Sequence, residues 1–465
     1  MTSRLSKPAS APPEYQPETV PIVRRTVQVF LLCTGLYLLT WAGHYTTGDG
    51  SYKVAWAKSM FLRHSAVIDV GNGPTYCKYG IGHSLIAIPP LALAHFIWRT
   101  TGIRCEAPLY TLIFIVNGAL FLALLYFYLA KLYPSGLAIW AVFIIGFATI
   151  WWPYTKLDFS EPLVLTIAFL GFVLLRFGHP MPGLTIVAAT LAVRMDSAVV
   201  MVPMIAWYLH RDRSLRAVVR VALSVAPWVT LVLVANYVRF HSLSDRSYAD
   251  EHFSNPLLVG LFGVLFSAGK SIFLFSPPLL LGAIGWNHFR QRSETRSDAW
   301  LFLAICVAQV LLYAKWWDWS SDDAWGNRFL VPGVLLMCIP MVEVLQRRML
   351  VYGVAAAGLF VQLLAVSVGG LQYVLLLRSH AAQRQALYVD GRNRVDFEDM
   401  RYSPNYSQLA GHWILLRHLL GYPPEPESSQ EGARIGTRLY DTLSPQDWDA
   451  AAKWDLIWNV HRSPR

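Results

Sequence analysis

Apolar runs of roughly 16 to 25 residues recur from Val27 to Leu377, the length a helix needs to cross ~30 Å of hydrocarbon. The run from Pro108, PLYTLIFIVNGALFLALLYFYLA, is one of them. Two runs break the rhythm. Gly80 to Trp98 contains Gly82, His83, Pro89 and Pro90, which suits an interfacial or re-entrant segment. Leu184 to Leu209 carries Arg194 and Asp196 in its middle, and its halves are each too short to span alone. A charged pair inside an apolar run is costly unless it faces a polar cavity, so two short helices broken near Arg194-Met195-Asp196 are predicted. After Leu377 the pattern becomes mixed, charged and Trp-containing, as in a small extramembrane tail. Residues 1–25 are polar and Pro-rich, a disordered lead-in without the early apolar core of a cleavable signal peptide.

Composition supports this pattern. The chain is 55% hydrophobic and 15% charged, against about a quarter charged in an ordinary soluble protein. The net charge of +10 reads as positive-inside loop bias. No long basic run with interleaved aromatics points to nucleic acid. Basic clusters stand at Arg24-Arg25, Lys131, Arg176, Arg211 to Arg220, Arg290 to Arg296 and Arg347-Arg348. All can be cytoplasmic if Gly80 to Trp98 does not cross and Leu184 to Leu209 is broken. If Gly80 to Trp98 does cross, the loop at Lys156 to Glu161 moves to the cytoplasmic side. The first arrangement predicts an all-α transmembrane fold over residues 26–376, with about eleven membrane helices and a cytoplasmic N-terminus. A long outer first loop, residues 44–106, holds interfacial helices, and a small mixed outer tail covers residues 377–465. The outer face then collects Asp49, Asp69, Lys78, His83, Asp158, Glu161, Arg194, Asp196, Lys270, Lys315, Asp318, Asp322, Asp323 and Arg328. Cys33, Cys306 and Cys338 lie within spans as small core residues, whereas Cys77 and Cys105 lie outside and are candidates for a disulfide in an oxidising compartment. No cysteine or histidine spacing resembles a zinc site.

Five motifs carry the candidate chemistry. In TTGDGSYKVAWAKSM, Asp49 stands at a membrane boundary, with Tyr52, Trp56 and Met60 at the spacing of an amphipathic helix. Asp49 is either a general base at the mouth of a cavity or the cap of that helix. In WWPYTKLDFSEPL, Asp158 and Ser160 are possible caps. Lys156, Asp158 and Glu161 together exceed what a cap requires, and a second acidic site facing Asp49 would suit a divalent ion or sugar hydroxyls. In LAVRMDSAVV, Arg194 either pairs with Asp196 or meets a phosphate. In SAGKSIFLFSPP, Gly269-Lys270-Ser271 resembles the end of a P-loop, but Val264 stands where the required Gly would be, which excludes an NTPase. Lys270 is left as a ligand for a lipid-linked phosphate or a snorkelling lysine. In YAKWWDWSSDDAWGNRFLVP, an aromatic belt accounts for Trp316, Trp317 and Trp319 but not for Asp318, Asp322, Asp323 and Arg328; aromatic faces beside carboxylates also suit carbohydrate.

Taken in this order, the motifs resemble the polytopic glycosyltransferases of the GT-C fold, particularly bacterial members related to protein mannosyltransferases and to the enzymes that add aminoarabinose to lipid A. The resemblance runs from Val27 to Tyr373. It rests on Gly48-Asp49-Gly50 after the first span, YCKYGIGHSLIAIPPL along the outer face, Asp158 and Glu161 before the fourth span, and WWDWSSDDAWGNRFLVP leading into a late helix. It implies a hexosyl- or pentosyltransferase of a bacterial inner membrane, working on the outer face. The donor would be a sugar on polyprenyl phosphate, the acceptor a hydroxyl of a lipid, glycan or protein. Asp49 would be the base; Lys270, Arg194 and Lys78 would bind the donor phosphate; Asp158, Glu161, His83, Trp316, Asp318 and Arg328 would bind sugar or acceptor. Many members carry two adjacent acids in the first motif. Here Gly50 stands in the second place, which weakens any metal site built on a carboxylate pair and leaves a divalent ion as an open requirement. The competing class is a transporter or flippase of a lipid-linked or small polar solute, which also breaks helices and buries charges near the midplane. It would ordinarily show internal repeats, and none is visible.

Overall fold

The computed structural model of the chain describes residues 21–69, 74–244, 248, 251–321, 324–370, 372–374, 376–377, 398–422 and 451–457. Residues 1–20, Asp322, Asp323, Trp448 and Trp458 lie outside them. The apolar runs become helices: α1 Ile22–Leu38, α2 Gly48–Arg63, α3 Ile81–Thr101, α4 Glu106–Ala130, α5 Ser135–Ala148, α6 Trp151–Tyr154, α7 Glu161–Arg176, α8 Pro180–Val193 and α9 Ala198–Arg211. They continue as α10 Leu215–Phe240, α11 Leu257–Phe266, α12 Ile272–Phe275, α13 Leu279–Gln291, α14 Arg296–Ala314, α15 Val331–Cys338 and α16 Arg348–Ser367. A two-stranded antiparallel hairpin, β1 Val67–Asp69 and β2 Pro74–Tyr76, follows α2.

Among the described residues five helices, α3, α4, α10, α14 and α16, are long and apolar enough to cross a membrane, and the chain is an integral membrane protein. Helix α3 is continuous. Pro89 and Pro90 lie inside it, and each removes an intrahelical hydrogen bond, yet the helix runs unbroken for 21 residues and by length and composition is one of the five. The other expected interruption is present: α8 ends at Val193, Arg194 is extended with φ −152° and ψ 130°, and α9 begins at Ala198.

Helix α4 is the central post, lined by Phe121, Leu122, Leu125 and Tyr128, all without exposure. Helices that carry glycine approach backbone to backbone, as small residues allow in membranes. Gly282 and Gly285 place α13 against the segment that runs on from α15; a Cβ at either would stand 2.0 or 2.1 Å from the carbonyls of Met337 and Pro340.

Contacts sort the loops into two ends. At one end Arg176 pairs with Asp298 (2.9 Å), Arg211 donates to Ser297 Oγ (3.0 Å), Arg292 donates to the Leu132 carbonyl (3.3 Å) and Tyr133 donates to Glu343 (2.6 Å). The basic loops meet there. Helix α14 leaves this end at Arg296 and reaches Tyr313, whose hydroxyl donates to Asp196 at the other end (2.6 Å). Nineteen residues of helix separate the two ends by about 28 Å.

The described parts of the C-terminal region form a small core of their own from Val368, Tyr373, Met400, Ile414 and Leu415. It is fastened to the polar end. Lys156, with a side chain 3% exposed, pairs with Asp455 Oδ2 at 2.8 Å and donates to the Asp455 and Val366 carbonyls. His44 Nε2 meets Asp455 Oδ1 at 2.7 Å, and the Ile457 amide donates to the Trp41 carbonyl. Burial by itself raises the Asp455 carboxyl, but Lys156 and His44 outweigh it and hold the group well below the usual carboxylate range. Removing one partner of a buried pair strands the other charge, at about 3–5 kcal/mol. Asp455→Asn is therefore expected to lower the unfolding midpoint and open residues 451–457 to limited proteolysis, both measured on detergent-solubilised protein.

The disulfide expectation is corrected. Cys77 and Cys105 are free thiols. Cys77 is turned into a satellite core with Trp56 and Ile68, while Cys105 stands half-buried at the start of α4.

Candidate active site at the polar end

Helix α2 opens at Thr47, whose hydroxyl accepts the Gly50 amide hydrogen (2.9 Å). Thr47, not Asp49, is therefore the cap. Asp49 sits one position inside the first turn, where the helix dipole favours a negative charge. Its carboxylate is bound on both oxygens: Tyr79 Oη donates to Oδ1 at 2.5 Å, and Arg328 Nη1 to Oδ2 at 3.0 Å. Burial works to raise this carboxyl, but Arg328, Lys53 and the Tyr79 hydroxyl prevail and hold it well below the usual carboxylate range.

The amphipathic reading of α2 needs revising. Tyr52 is exposed and Trp56 buried, so the two do not share a membrane-facing stripe; the buried stripe is Lys53, Val54, Trp56 and Ala57. An adjoining stripe, with Ser51, Val54, Lys58 and Leu62, lines an open cavity of about 370 Å³ beside Tyr45.

Asp158 meets α2 from the other side. Its backbone amide donates to the Thr46 hydroxyl (3.0 Å), and its Oδ1 accepts the Thr46 hydroxyl hydrogen (2.8 Å). Oδ2 is buried with no hydrogen-bond partner among the described residues. Burial raises this carboxyl. A Cβ at position 50 would stand 1.9 Å from Asp158 Oδ2. Gly50 is thus required by the Asp158 carboxylate, which takes the space a second acid on α2 would need. Overpacking of this kind costs about 1–3 kcal/mol, so Gly50→Ala is expected to lower the unfolding midpoint, whereas Gly48→Ala, with open space at its Cβ, serves as the tolerant control.

Glu161 continues the array. Ser160, at the N-cap of α7, makes no capping hydrogen bond and instead shares one with His83 Nδ1 (2.8 Å). Glu161 Oε1 accepts from Arg194 Nη1 (2.7 Å) and lies 3.6 Å from Arg328 Nε; its Oε2 has no partner among the described residues. Arg194 forks onto Asp196 through Nε (2.9 Å) and Nη2 (2.6 Å). Two residues apart in a helix they would face different ways; the extended backbone at Arg194 allows the bidentate pair. The result is a chain of groups, Tyr79–Asp49–Arg328–Glu161–Arg194–Asp196–Tyr313. Arg328 also lies over the Phe159 ring at 4.3 Å, and Phe329 stacks on Tyr313 at 4.7 Å.

The remaining candidates stand farther out. Lys78 pairs with Glu251 at 3.0 Å, two-fifths exposed, beside the Tyr79 and Tyr248 rings. Glu251 also accepts from Trp317 Nε1 (3.2 Å), and Trp316 packs on Phe253, which puts an aromatic wall beside Lys78. Lys270 is fully buried and donates to the Ala324 (2.7 Å) and Gly326 (3.0 Å) carbonyls; it steadies the loop from which Arg328 springs. Asp318 accepts from Arg401 (3.2 Å) and Ser320 (3.0 Å), tying that loop to the C-terminal region. His83 is enclosed, its Nε2 at 2.9 Å from the Tyr110 hydroxyl, and braces α3 against α4 and α7. Among the described residues no three His, Cys, Asp or Glu side chains gather to hold a metal ion. Two residues that sequence reading passed over, Lys53 and Tyr79, touch or flank Asp49. The i to i+4 spacing of Asp49 and Lys53 and the adjacency of Tyr79 to Lys78 were the signals for them.

No family model matches the chain, and no curated protein matches it. Among solved structures it is similar to ArnT from Cupriavidus metallidurans bound to undecaprenyl phosphate, with 14% identity, 86% of this chain and 71% of that one covered, and a TM-score of 0.44. It is similar also to ArnT from Cupriavidus metallidurans in the apo state, with 13% identity, coverage of 92% and 73%, and a TM-score of 0.45.

Proposed function

We propose that the protein is a glycosyltransferase that moves a sugar from a polyprenyl-phosphate carrier to an acceptor hydroxyl, at the end of the bundle opposite the basic loops, the outer face of a bacterial inner membrane. The observation that carries this reading is Asp49. It is released from capping by Thr47, placed at a helix N-terminus, and oriented on both oxygens by Tyr79 and Arg328. A carboxylate so placed accepts the proton of the attacking hydroxyl as the new glycosidic bond forms. The bond from the anomeric carbon to the phosphate oxygen breaks in the same displacement, which inverts the anomeric centre. Polyprenyl phosphate leaves with the electron pair, and cations near the reacting centre oppose its developing charge. Arg328 and Arg194 sit in the array, and Lys78 stands at its edge; Lys270 acts by holding the Arg328 loop. The unpartnered Oε2 of Glu161 is an acceptor for a sugar or acceptor hydroxyl, and Asp158 supports it by positioning α2 through Thr46 and Gly50.

The break between α8 and α9 is also a device of transporters. Purified protein given a labelled polyprenyl-phosphate sugar and a panel of hydroxyl acceptors separates the two classes. Formation of a glycosidic bond supports the transferase; vesicle-to-vesicle movement of the label with no new bond supports the transporter and ends the present reading.

A further inference from the structure

The C-terminal region grips the loop that carries Arg328. Gly326, two residues before Arg328, is held through both of its backbone groups: its carbonyl accepts from Lys270 Nζ (3.0 Å), and its amide donates to Gln408 Oε1 (3.1 Å). Gln408 opens the helix Gln408–Leu419 and is 1% exposed. One turn further on, the His412 ring lies 4.6 Å from that of Trp325, whose indole nitrogen donates to Gln362 Oε1 (3.3 Å). The short helix Glu398–Tyr402 makes a second approach. The Gly269 amide donates to the Arg401 carbonyl (3.0 Å), and a Cβ at position 269 would stand 1.8 Å from the Met400 carbonyl oxygen. The turn that presents Lys270 to Gly326 is therefore seated on the same region.

Gly326 has a φ of +58°, and a Cβ there would meet Phe275 at 2.8 Å. The chain turns sharply at this left-handed residue, so the direction in which Arg328 leaves depends on how the Gly326 peptide is held. Arg328 in turn binds Asp49 at 3.0 Å and stands 3.6 Å from Glu161. A displacement of about 0.5 Å takes the first contact out of normal hydrogen-bond range. The other titratable groups around Asp49 are Lys53 on its own helix, Tyr79 and His83 around the start of α3, Tyr248, Arg194, and Asp158 with Glu161 at the start of α7. Arg328 is the one whose loop Gln408 holds. We infer that Gln408 is a positioning residue for sugar transfer: it fixes the Gly326 peptide and so sets the Arg328 guanidinium on Asp49 and Glu161. The C-terminal region is then a working part of the active site. This inference rests on the transferase reading above and deepens it.

The test uses the full chain in lipid nanodiscs as wild type, Gln408→Met and Val351→Ala. Methionine keeps the length of Gln408 and removes the acceptor. Val351 is buried in α16 beside Arg347, at the basic end, and serves as a destabilised control. Transfer of labelled sugar is followed against pH, and the unfolding midpoint is taken at neutral and acid pH, also in an Asp49→Asn background. Losing a nearby opposite charge moves a carboxyl by about 1–3 pH units, and a displaced guanidinium should give the low end. Gln408→Met is expected to move the acid limb up by about 1 pH unit and to slow transfer by up to about 100-fold, the effect of a misplacement of about 1 Å. Asp49 is held below the usual carboxylate range, so it stabilises the fold above the unfolded carboxylate pKa and less as pH falls. Gln408→Met should therefore narrow the gap between neutral and acid midpoints, and should leave that gap unchanged in the Asp49→Asn background. Val351→Ala should lower the midpoint with the acid limb in place. A Gln408→Met protein that loses stability equally at every pH, with its acid limb unmoved, makes Gln408 a structural residue and overturns the inference while the transferase reading stands. An equal limb shift in Val351→Ala assigns the effect to general loosening and overturns it too. If wild type forms no glycosidic bond, the transferase reading falls and the role in transfer with it; the midpoints separately retain or refute the hold of Gln408 on Asp49.

Discussion

Asp49→Asn is expected to fold, insert and bind donor, yet lose sugar transfer by about 10²- to 10⁴-fold, the usual range for a positioned general base. The substitution keeps the side chain's size and leaves one oxygen to accept from Arg328 or Tyr79. What it removes is the ability to take a proton. Single-turnover rates with saturating labelled donor measure this directly, and donor affinity measured in parallel should change little. A variant that inserts stably and still transfers at the wild-type rate would remove Asp49 from the chemistry.

The second large effect is expected at Arg328. Its side chain is 12% exposed and is shared between Asp49 and Glu161. Arg328→Met leaves both carboxylates without that cation, and stranding a buried partner costs about 3–5 kcal/mol. The direction with pH follows from Asp49. Its folded pKa is depressed, so the stability it contributes is present above the unfolded carboxylate pKa and is lost as pH falls through the folded value. Without Arg328, burial dominates and the carboxyl rises. The acid limb of the transfer–pH profile should therefore move to higher pH in Arg328→Met, and the stability advantage at neutral pH over acid pH should shrink. Arg328→Lys should keep part of the charge effect but not the geometry, because an ammonium cannot fork between two acids. A pH–rate profile that does not move would mean Arg328 does not set the state of Asp49.

Sequence made some of this legible and some not, for physical reasons. The break at Arg194 was legible because a charged pair inside an apolar run has few affordable conformations. The gathering of Asp49, Glu161, Arg194, Asp196 and Arg328 was legible as a shared face, because loop charge restricts where each loop can lie. Lys53 was not: in an amphipathic helix a lysine ordinarily marks the solvated side, and only the packing of Tyr79 and α3 shows that this one is enclosed. The surroundings of Lys270 were hidden for a related reason. Among its acceptors are the backbone carbonyls of Ala324 and Gly326, which leave no mark in side-chain identity. Gly50 looked like a lost acid because only three-dimensional contact shows Asp158 in its place. The prolines of α3 suggested an interfacial or re-entrant segment, and that they sit inside a continuous helix follows from its packing against α2, α4 and α8, which local pattern does not record.

The clasp between Lys156 and Asp455 has a consequence in time. The Lys156 ammonium donates to the Asp455 carbonyl across a separation of 299 residues, and the Trp41 carbonyl waits for the still more distant Ile457 amide. During synthesis the chain between them must be threaded into the bilayer while an enclosed lysine has no counter-ion. The contacts that close this part of the polar end therefore form only after residues 451–457 have been made and brought back to it.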